Sequence, residues 1–383
     1  MTSSEWPSRS SGHLAARTGL RIAVLVTSGG GQDLRRATAL TTATKHDVAI
    51  IAFDRTKGRL AAARAAMTKL TAHSPDLLLV EGGGFVGIGL ALLHRFFYHS
   101  QYILSVGDAV GPFLRLQHGR VLGWLGGSFE RSAIRRATAY IGWSPYLVGR
   151  AIQLGAKTGL TLPGCVSLTD FRPNRDRATL RRQALGIPAD QLLLGVVGTI
   201  HWSQRQQYAY GLELINALAG TTRGHGIVVG GGSGIDYLKR QAQSLGIAQR
   251  VTFTGHLDGP ELLQTIQMLD IGLVTQTPEC LGLTRLTGKL AEYLACGIPV
   301  AMTASPGFFD LVGTAGWPLP LHHPTSAAVA RRLTRLIDGV TPDELEAKRH
   351  AARLAAETSF NPSENAKRLE ALLDNLIEIA PNR

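Results

Sequence analysis

Lys289 and Glu292 stand three residues apart in a segment, 284–304, whose pattern reads as helix, sharp stop and buried strand. Leu290, Tyr293 and Leu294 recur at helical spacing and predict one apolar face. Gly297 suits the position just past a helix end, and Pro299 forbids continuation. Val300, Ala301 and Met302 then predict a strand covered on both faces. Thr287 and Gly288 fall where the helix begins. Free backbone N–H groups and the positive end of the helix dipole attract an anion there, and Lys289 adds a full charge. A phosphate at that point would bring an attached sugar near Glu292, whose carboxylate can accept from two neighbouring hydroxyls, as on a ribose. The same two residues also read as an i,i+3 surface ion pair of small energetic weight.

A second candidate is Asp108, which follows the apolar run Tyr102–Val106. The carboxyl end of a strand is where open α/β sheets place ligands; a helix N-cap is the alternative. Gly30 and Gly31 belong to a glycine turn after the first apolar run, where a backbone can approach a ligand closely. The turn lacks the full dinucleotide fingerprint, so a hydride-carrier reading is weak. Cys165, Cys280 and Cys296 are far apart, odd in number and without metal-ligand spacing. They imply a reducing, cytoplasmic setting, with no metal site and no cofactor expected.

These residues need a scaffold. Runs at 21–27, 48–53, 75–80 and 102–106 alternate with helical patterns at 60–72 and 85–98, the signature of a doubly wound α/β domain. A second series begins at 193–197. It continues through 227–229 and its glycine run Gly230–Gly234, then 250–255 and 270–274, and ends in the segment described first. With 383 residues the chain is long enough for two cores. The expected organisation is a disordered tail at 1–20, a first Rossmann-like domain at 21–165 and a hinge at 166–189. A second such domain at 190–360 and a terminal helix at 361–383 complete it. Residues 1–20 lack the apolar core of a secretory signal, and no run reaches the roughly 18–20 residues of a spanning helix.

Lys289-Leu-Ala-Glu-Tyr-Leu-Ala-Cys-Gly-Ile-Pro-Val resembles the donor-binding segment of retaining glycosyltransferases of the GT-B fold, family 4. The resemblance covers roughly 21–380 and is strongest from 190 to 310. It implies two Rossmann-like domains facing a cleft, with Lys289 on the donor phosphate and Glu292 on the ribose. Asp108 would face the transferred sugar, although a glycine precedes it where a histidine is usual. Gly30 and Gly31 would line the acceptor side, Gly231 the donor side, and the base would lie near the Phe253-Thr254-Gly255 turn and Leu257. Many relatives clamp the diphosphate with an Arg and a Lys where this chain has Thr199 and Gln204; Arg205 is the expected substitute. Relatives also carry a glutamate where this chain has Thr284, while Glu279 lies five residues out of register. The resemblance implies a nucleotide-sugar donor and transfer with retention, without a metal, since no Asp-x-Asp site is present. A nucleotide-sugar epimerase and a non-catalytic nucleotide-sugar binder are the two rivals.

The net charge of +12 is lopsided. Residues 1–165 hold 19 Lys and Arg against 8 Asp and Glu, a net +11, while residues 166–383 hold 21 against 20. No nucleic-acid motif accompanies the basic half. An anionic membrane surface or a phosphorylated acceptor is the partner this asymmetry points to; an arginine bias in coding composition is the alternative. Arg131, Arg135 and Arg136 crowd one predicted helix at 128–140. The helix at 85–98, carrying Leu90, Leu93, Phe96 and Phe97, reads either as a crossover helix packed on the sheet or as one that dips into a membrane interface. The acceptor is therefore expected to be a glycan, a lipid-linked sugar or a small molecule.

Overall fold

A computed structural model describes residues 19–28, 31–54, 56, 58–202 and 207–379, the last three without their side chains. The first half of the chain runs β1 (Arg21–Val26), α1 (Gly31–Thr41), β2 (Asp47–Ala52), α2 (Arg59–His73), β3 (Leu77–Glu81) and α3 (Phe85–Tyr98). It continues with β4 (Gln101–Val106), α4 (Val110–His118), α5 (Arg120–Arg136), β5 (Ala139–Gly142), α6 (Pro145–Leu154) and β6 (Gly159–Thr161). The six strands are parallel in the order β2-β1-β3-β4-β5-β6. β1, β3 and β4 read as nearly continuous apolar runs because helices cover both of their faces. The helix expected at 128–140 begins eight residues earlier, and Tyr140 lies in β5.

After α7 (Arg175–Ala184) comes a second unit. It comprises β7 (Leu193–Val197), α8 (Leu212–Ala219), β8 (His225–Val229), α9 (Ile235–Ser244), β9 (Val251–Gly255), α10 (Gly259–Gln267) and β10 (Ile271–Val274). Then follow α11 (Cys280–Thr284), α12 (Gly288–Ala295), β11 (Val300–Thr303), α13 (Pro306–Leu311), β12 (Gly316–Leu319), α14 (Ala327–Gly339), α15 (Pro342–Ser359) and α16 (Pro362–Ile379). Its sheet is also parallel, ordered β12-β11-β10-β7-β8-β9. The strand order therefore reverses between β1 and β3 in one sheet and between β7 and β10 in the other. Such switch points are where doubly wound sheets open a crevice at their carboxyl ends. β7 and β10 share only the pairs Leu194–Ile271 and Gly195–Gly272, so they splay beyond them.

Packing explains the motif of the second domain. The Tyr293 ring lies on β10, where a Cβ on Gly272 would sit 2.6 Å from it. Leu290, Tyr293 and Leu294 are buried with Val300 and Met302 in one cluster. Gly297, at φ 70°, turns the chain out of α12 and into β11. α7 packs on α10, and Arg182 and Arg349 both pair with Asp270, so this basic helix belongs to the second domain's surface. α16 returns to the first domain: Leu369, Leu372 and Leu373 are buried with Ile22, Val24 and Leu79. The two crossings lie side by side, joined where Val166 N–H donates to the Phe360 carbonyl at 3.1 Å.

Candidate active site

The carboxyl ends of the two sheets meet across a cleft. On the second domain, the loop after β7 lies on the glycine run after β8. Gly198 N–H donates to the Val229 carbonyl, and Ile200 N–H to that of Gly231. A Cβ on Gly230 would stand 1.8 Å from the Gly198 carbonyl oxygen, and one on Gly232 would stand 2.3 Å from that of Ile200. Their φ angles of 137° and 140° also exclude ordinary side chains. Two glycines therefore serve the approach of one loop to the other. Gly231 between them faces open space. Thr199 is exposed on this loop, and Leu257 is half-buried after β9. Gln204 and Arg205 lie outside the described residues.

Thr287 occupies the N-cap of α12, yet its hydroxyl makes no capping bond, so the first N–H groups of the helix have no side-chain partner there. Lys289 Nζ lies 2.8 Å from Glu292 Oε2, with the two side chains 28% and 17% exposed. The surface-pair geometry is thus realised. Neither side chain is deeply buried, and each is free to take another partner. Thr284, where the resemblance leads one to expect a glutamate, is fully buried and bonds its hydroxyl to the Leu281 carbonyl, so it has no access to the cleft. Glu279 is exposed at the N-cap of α11.

From the first domain, Gly31 opens α1; Gly30 lies outside the described residues. The Gln32 amide reaches across the cleft to the start of α12: a Cβ on Gly288 would meet Gln32 Nε2 at 2.0 Å. Asp108 stands at the end of β4, but both of its oxygens are taken by Arg285, at 2.9 and 3.0 Å. Burial opposes the Arg285 charge, and the hydrogen bond and attraction of Asp108 more than offset it, leaving the guanidinium pKa raised. Ser144, buried beside them, donates to the Thr284 carbonyl at 2.8 Å. Three first-domain side chains therefore touch the 284–288 segment. Sequence reading does not find Arg285, because its partner lies 177 residues away.

Each half of the cleft rests on a buried carboxylate. Under the first domain, Arg36 donates to both oxygens of Glu81 and to Ser105, and it also holds the Leu162 and Pro163 carbonyls of the outgoing chain. Burial raises the Glu81 pKa against the opposing pull of Arg36. At the β7/β10 switch point, Glu213 is wholly buried, and accepts from Tyr208, Thr275 and the Gly211 N–H. Burial raises its pKa too, and its hydrogen bonds offset only part of the effect. Away from the cleft, His46, Glu370 and Asp374 are close enough together to ligate a metal. Lys45 pairs with both carboxylates there, and its ammonium already supplies the cation.

Two six-stranded parallel sheets facing a cleft make this a GT-B fold, and solved structures bear that out. Sucrose-phosphate synthase from Thermosynechococcus elongatus superposes with a TM-score of 0.73 at 19% identity, over 94% of this chain and all of that one. HepE of Anabaena, solved with UDP and glucose, gives 0.70 at 19% identity, over 93% of this chain and all of that one. Residues 191–339, within the second domain, match the family described as Glycosyl transferases group 1. Among curated proteins, the 2-deoxystreptamine N-acetyl-D-glucosaminyltransferase of Streptomyces fradiae is 30% identical over 258 residues, 66% of this chain and 57% of that protein. The D-inositol 3-phosphate glycosyltransferase of Mycolicibacterium paratuberculosis is 33% identical over 219 residues, 55% of this chain and 46% of that protein. The chain thus spans about half the length of the curated relatives it matches.

Proposed function

We propose that the chain is a retaining glycosyltransferase of family 4 that moves a sugar from a nucleotide-sugar donor to an acceptor hydroxyl. The observation that carries this reading is the convergence at the start of α12. Lys289 and Glu292 lie on one side of the cleft, and Gln32 and Asp108 reach the same segment from the other. The donor diphosphate would sit against the α12 N-terminus and Lys289. Its ribose would rest on Glu292 and its base near Leu257. Thr199 and Gly231 would border the phosphates, and Arg205 would add a charge. Metal-free stabilisation of the leaving diphosphate by a fixed cation and helix dipole is the chemistry this set supports. The acceptor oxygen bonds to the anomeric carbon as the carbon–phosphate oxygen bond breaks. The departing phosphate oxygen takes the acceptor's proton on the same face, so no separate base is needed.

The relatives named for 2-deoxystreptamine and D-inositol 3-phosphate support a polyhydroxylated acceptor. The basic first domain supports one carried on a lipid at an anionic membrane. No helix among the described residues is long and apolar enough to cross a membrane, so such an association would be peripheral. Burial of Thr284 where the resemblance leads one to expect a glutamate favours, as a second reading, a nucleotide-sugar binder without turnover. Proton NMR of the product's anomeric signal tests transfer with retention. An inverted signal refutes the mechanism. Donor consumed equally with and without acceptor identifies an epimerase or hydrolase, and binding without consumption identifies the second reading.

A further inference from the structure

Helix α5 is amphipathic in the wrong sense at its start. Gly123 and Gly126 are its buried positions, while Val121, Leu122, Trp124 and Leu125 are 72%, 47%, 70% and 49% exposed. The glycines explain the inner face. α4 and α5 form a hairpin turning at Gly119, and they approach so closely that a Cβ on Gly123 would lie 2.5 Å from Arg115 Cβ. No volume remains between the helices for a large side chain, so the four apolar residues point outward together. A folded helix ordinarily hides such residues and exposes polar ones; a contiguous apolar tip of this kind needs an apolar partner.

Charge identifies the partner. Residues 82–137 contain six arginines and two acidic residues, Asp108 and Glu130. Asp108 is bonded to Arg285, and Glu130 is buried with Arg150. Arg115 and Arg120 flank the tip, and among the described residues neither has a carboxylate partner. Tryptophan and leucine beside arginine, with both acids of the stretch already paired, suit a bilayer interface with anionic headgroups. The hairpin leaves β4 directly after Asp108, and α11 of the second domain packs on α4, so the base of the hairpin stands beside the cleft.

We propose that the α4–α5 hairpin tip is a membrane-docking wedge: its apolar residues enter the interface of an anionic bilayer while Arg115 and Arg120 engage headgroups. The inference gives a place to the lipid-linked acceptor of the function proposed above, on which its purpose rests. Its test needs neither acceptor nor turnover, so either can fail alone.

The full chain is sedimented with phosphatidylcholine vesicles and with vesicles containing phosphatidylglycerol, at low and high salt. Trp124→Ser/Leu125→Ser is the tip variant. Phe96→Ser/Phe97→Ser, at the far end of α3, is the comparison, and those rings are exposed as well. Both pairs are surface changes of small cost to folding. Nucleoside diphosphate binding and gel filtration of each protein accompany the assay. The wild-type chain is expected to bind only the anionic vesicles and to leave them at high salt. The tip variant should bind about tenfold or more weakly, the α3 variant nearly as wild type, and all three should bind nucleotide alike. Three results overturn the proposal: no vesicle binding by the wild type at low salt, equal binding by the tip variant, or a vesicle-free oligomer that the tip variant dissolves. The last would assign the face to a second copy of the chain.

Discussion

Replacing Lys289 by Ala, and separately Glu292 by Gln, separates the two roles available to this pair. As a static ion pair at 2.8 Å, with side chains 28% and 17% exposed, it contributes about 0–1 kcal/mol to folding. Either substitution should therefore shift the unfolding free energy by less than about 1 kcal/mol. As ligands for a diphosphate and a ribose, the same groups make charged hydrogen bonds worth about 1.5–3 kcal/mol each. That corresponds to a loss of about tenfold to 150-fold in affinity. Lys289→Ala removes the phosphate cation. Glu292→Gln should weaken even the free nucleoside diphosphate, because the ribose is present with or without the sugar. Isothermal titration of UDP and other nucleoside diphosphates reads the affinities, and urea unfolding reads the stabilities. Wild-type nucleotide affinity in both variants, or loss of stability without loss of affinity, would refute the assignment and leave only a surface pair.

The Asp108–Arg285 pair joins the domains through two hydrogen bonds but is half-exposed, so Arg285→Ala should change stability by less than about 1 kcal/mol. The same change should loosen the ligand-free cleft, read as a larger radius of gyration by small-angle scattering; an unchanged radius contradicts the bridging role. Glu213 gives a pH dependence. Its folded pKa is raised above the ordinary 4.5, so its contribution to stability is full below that value and is lost as pH rises through the folded pKa. The stability difference between wild type and Glu213→Gln should fall between about pH 4.5 and the folded pKa, and a constant difference by urea unfolding contradicts it.

The fold was legible because its signals are local. Apolar runs such as Leu77–Glu81 and Leu193–Val197 end at glycines, and Pro299 after Gly297 stops a helix and admits a strand. Lys289 and Glu292 were legible together because three residues of helix bring them to one side. What crosses the cleft was not legible. Gln32 against Gly288, Ser144 on Thr284 and Asp108 with Arg285 depend on how two domains meet, and no periodicity encodes that. Of the α4–α5 hairpin only the basic second half is legible in the sequence, because a glycine-rich start with apolar residues outward mimics neither a core helix nor a surface one. On α3, Ile88, Leu90 and Ala91 are buried against the sheet, as a crossover helix requires, while Leu93, Phe96 and Phe97 stay exposed.

The most direct measurement is nucleotide release from a panel of nucleotide sugars, followed with and without polyol and lipid-linked acceptors, for wild type and Lys289→Ala side by side. One donor should be consumed in an acceptor-dependent way by the wild type, and about tenfold or more slowly by the variant, since the role proposed for Lys289 is to hold the leaving diphosphate. Release from no donor, or release that is the same in Lys289→Ala, would contradict a donor site at the start of α12.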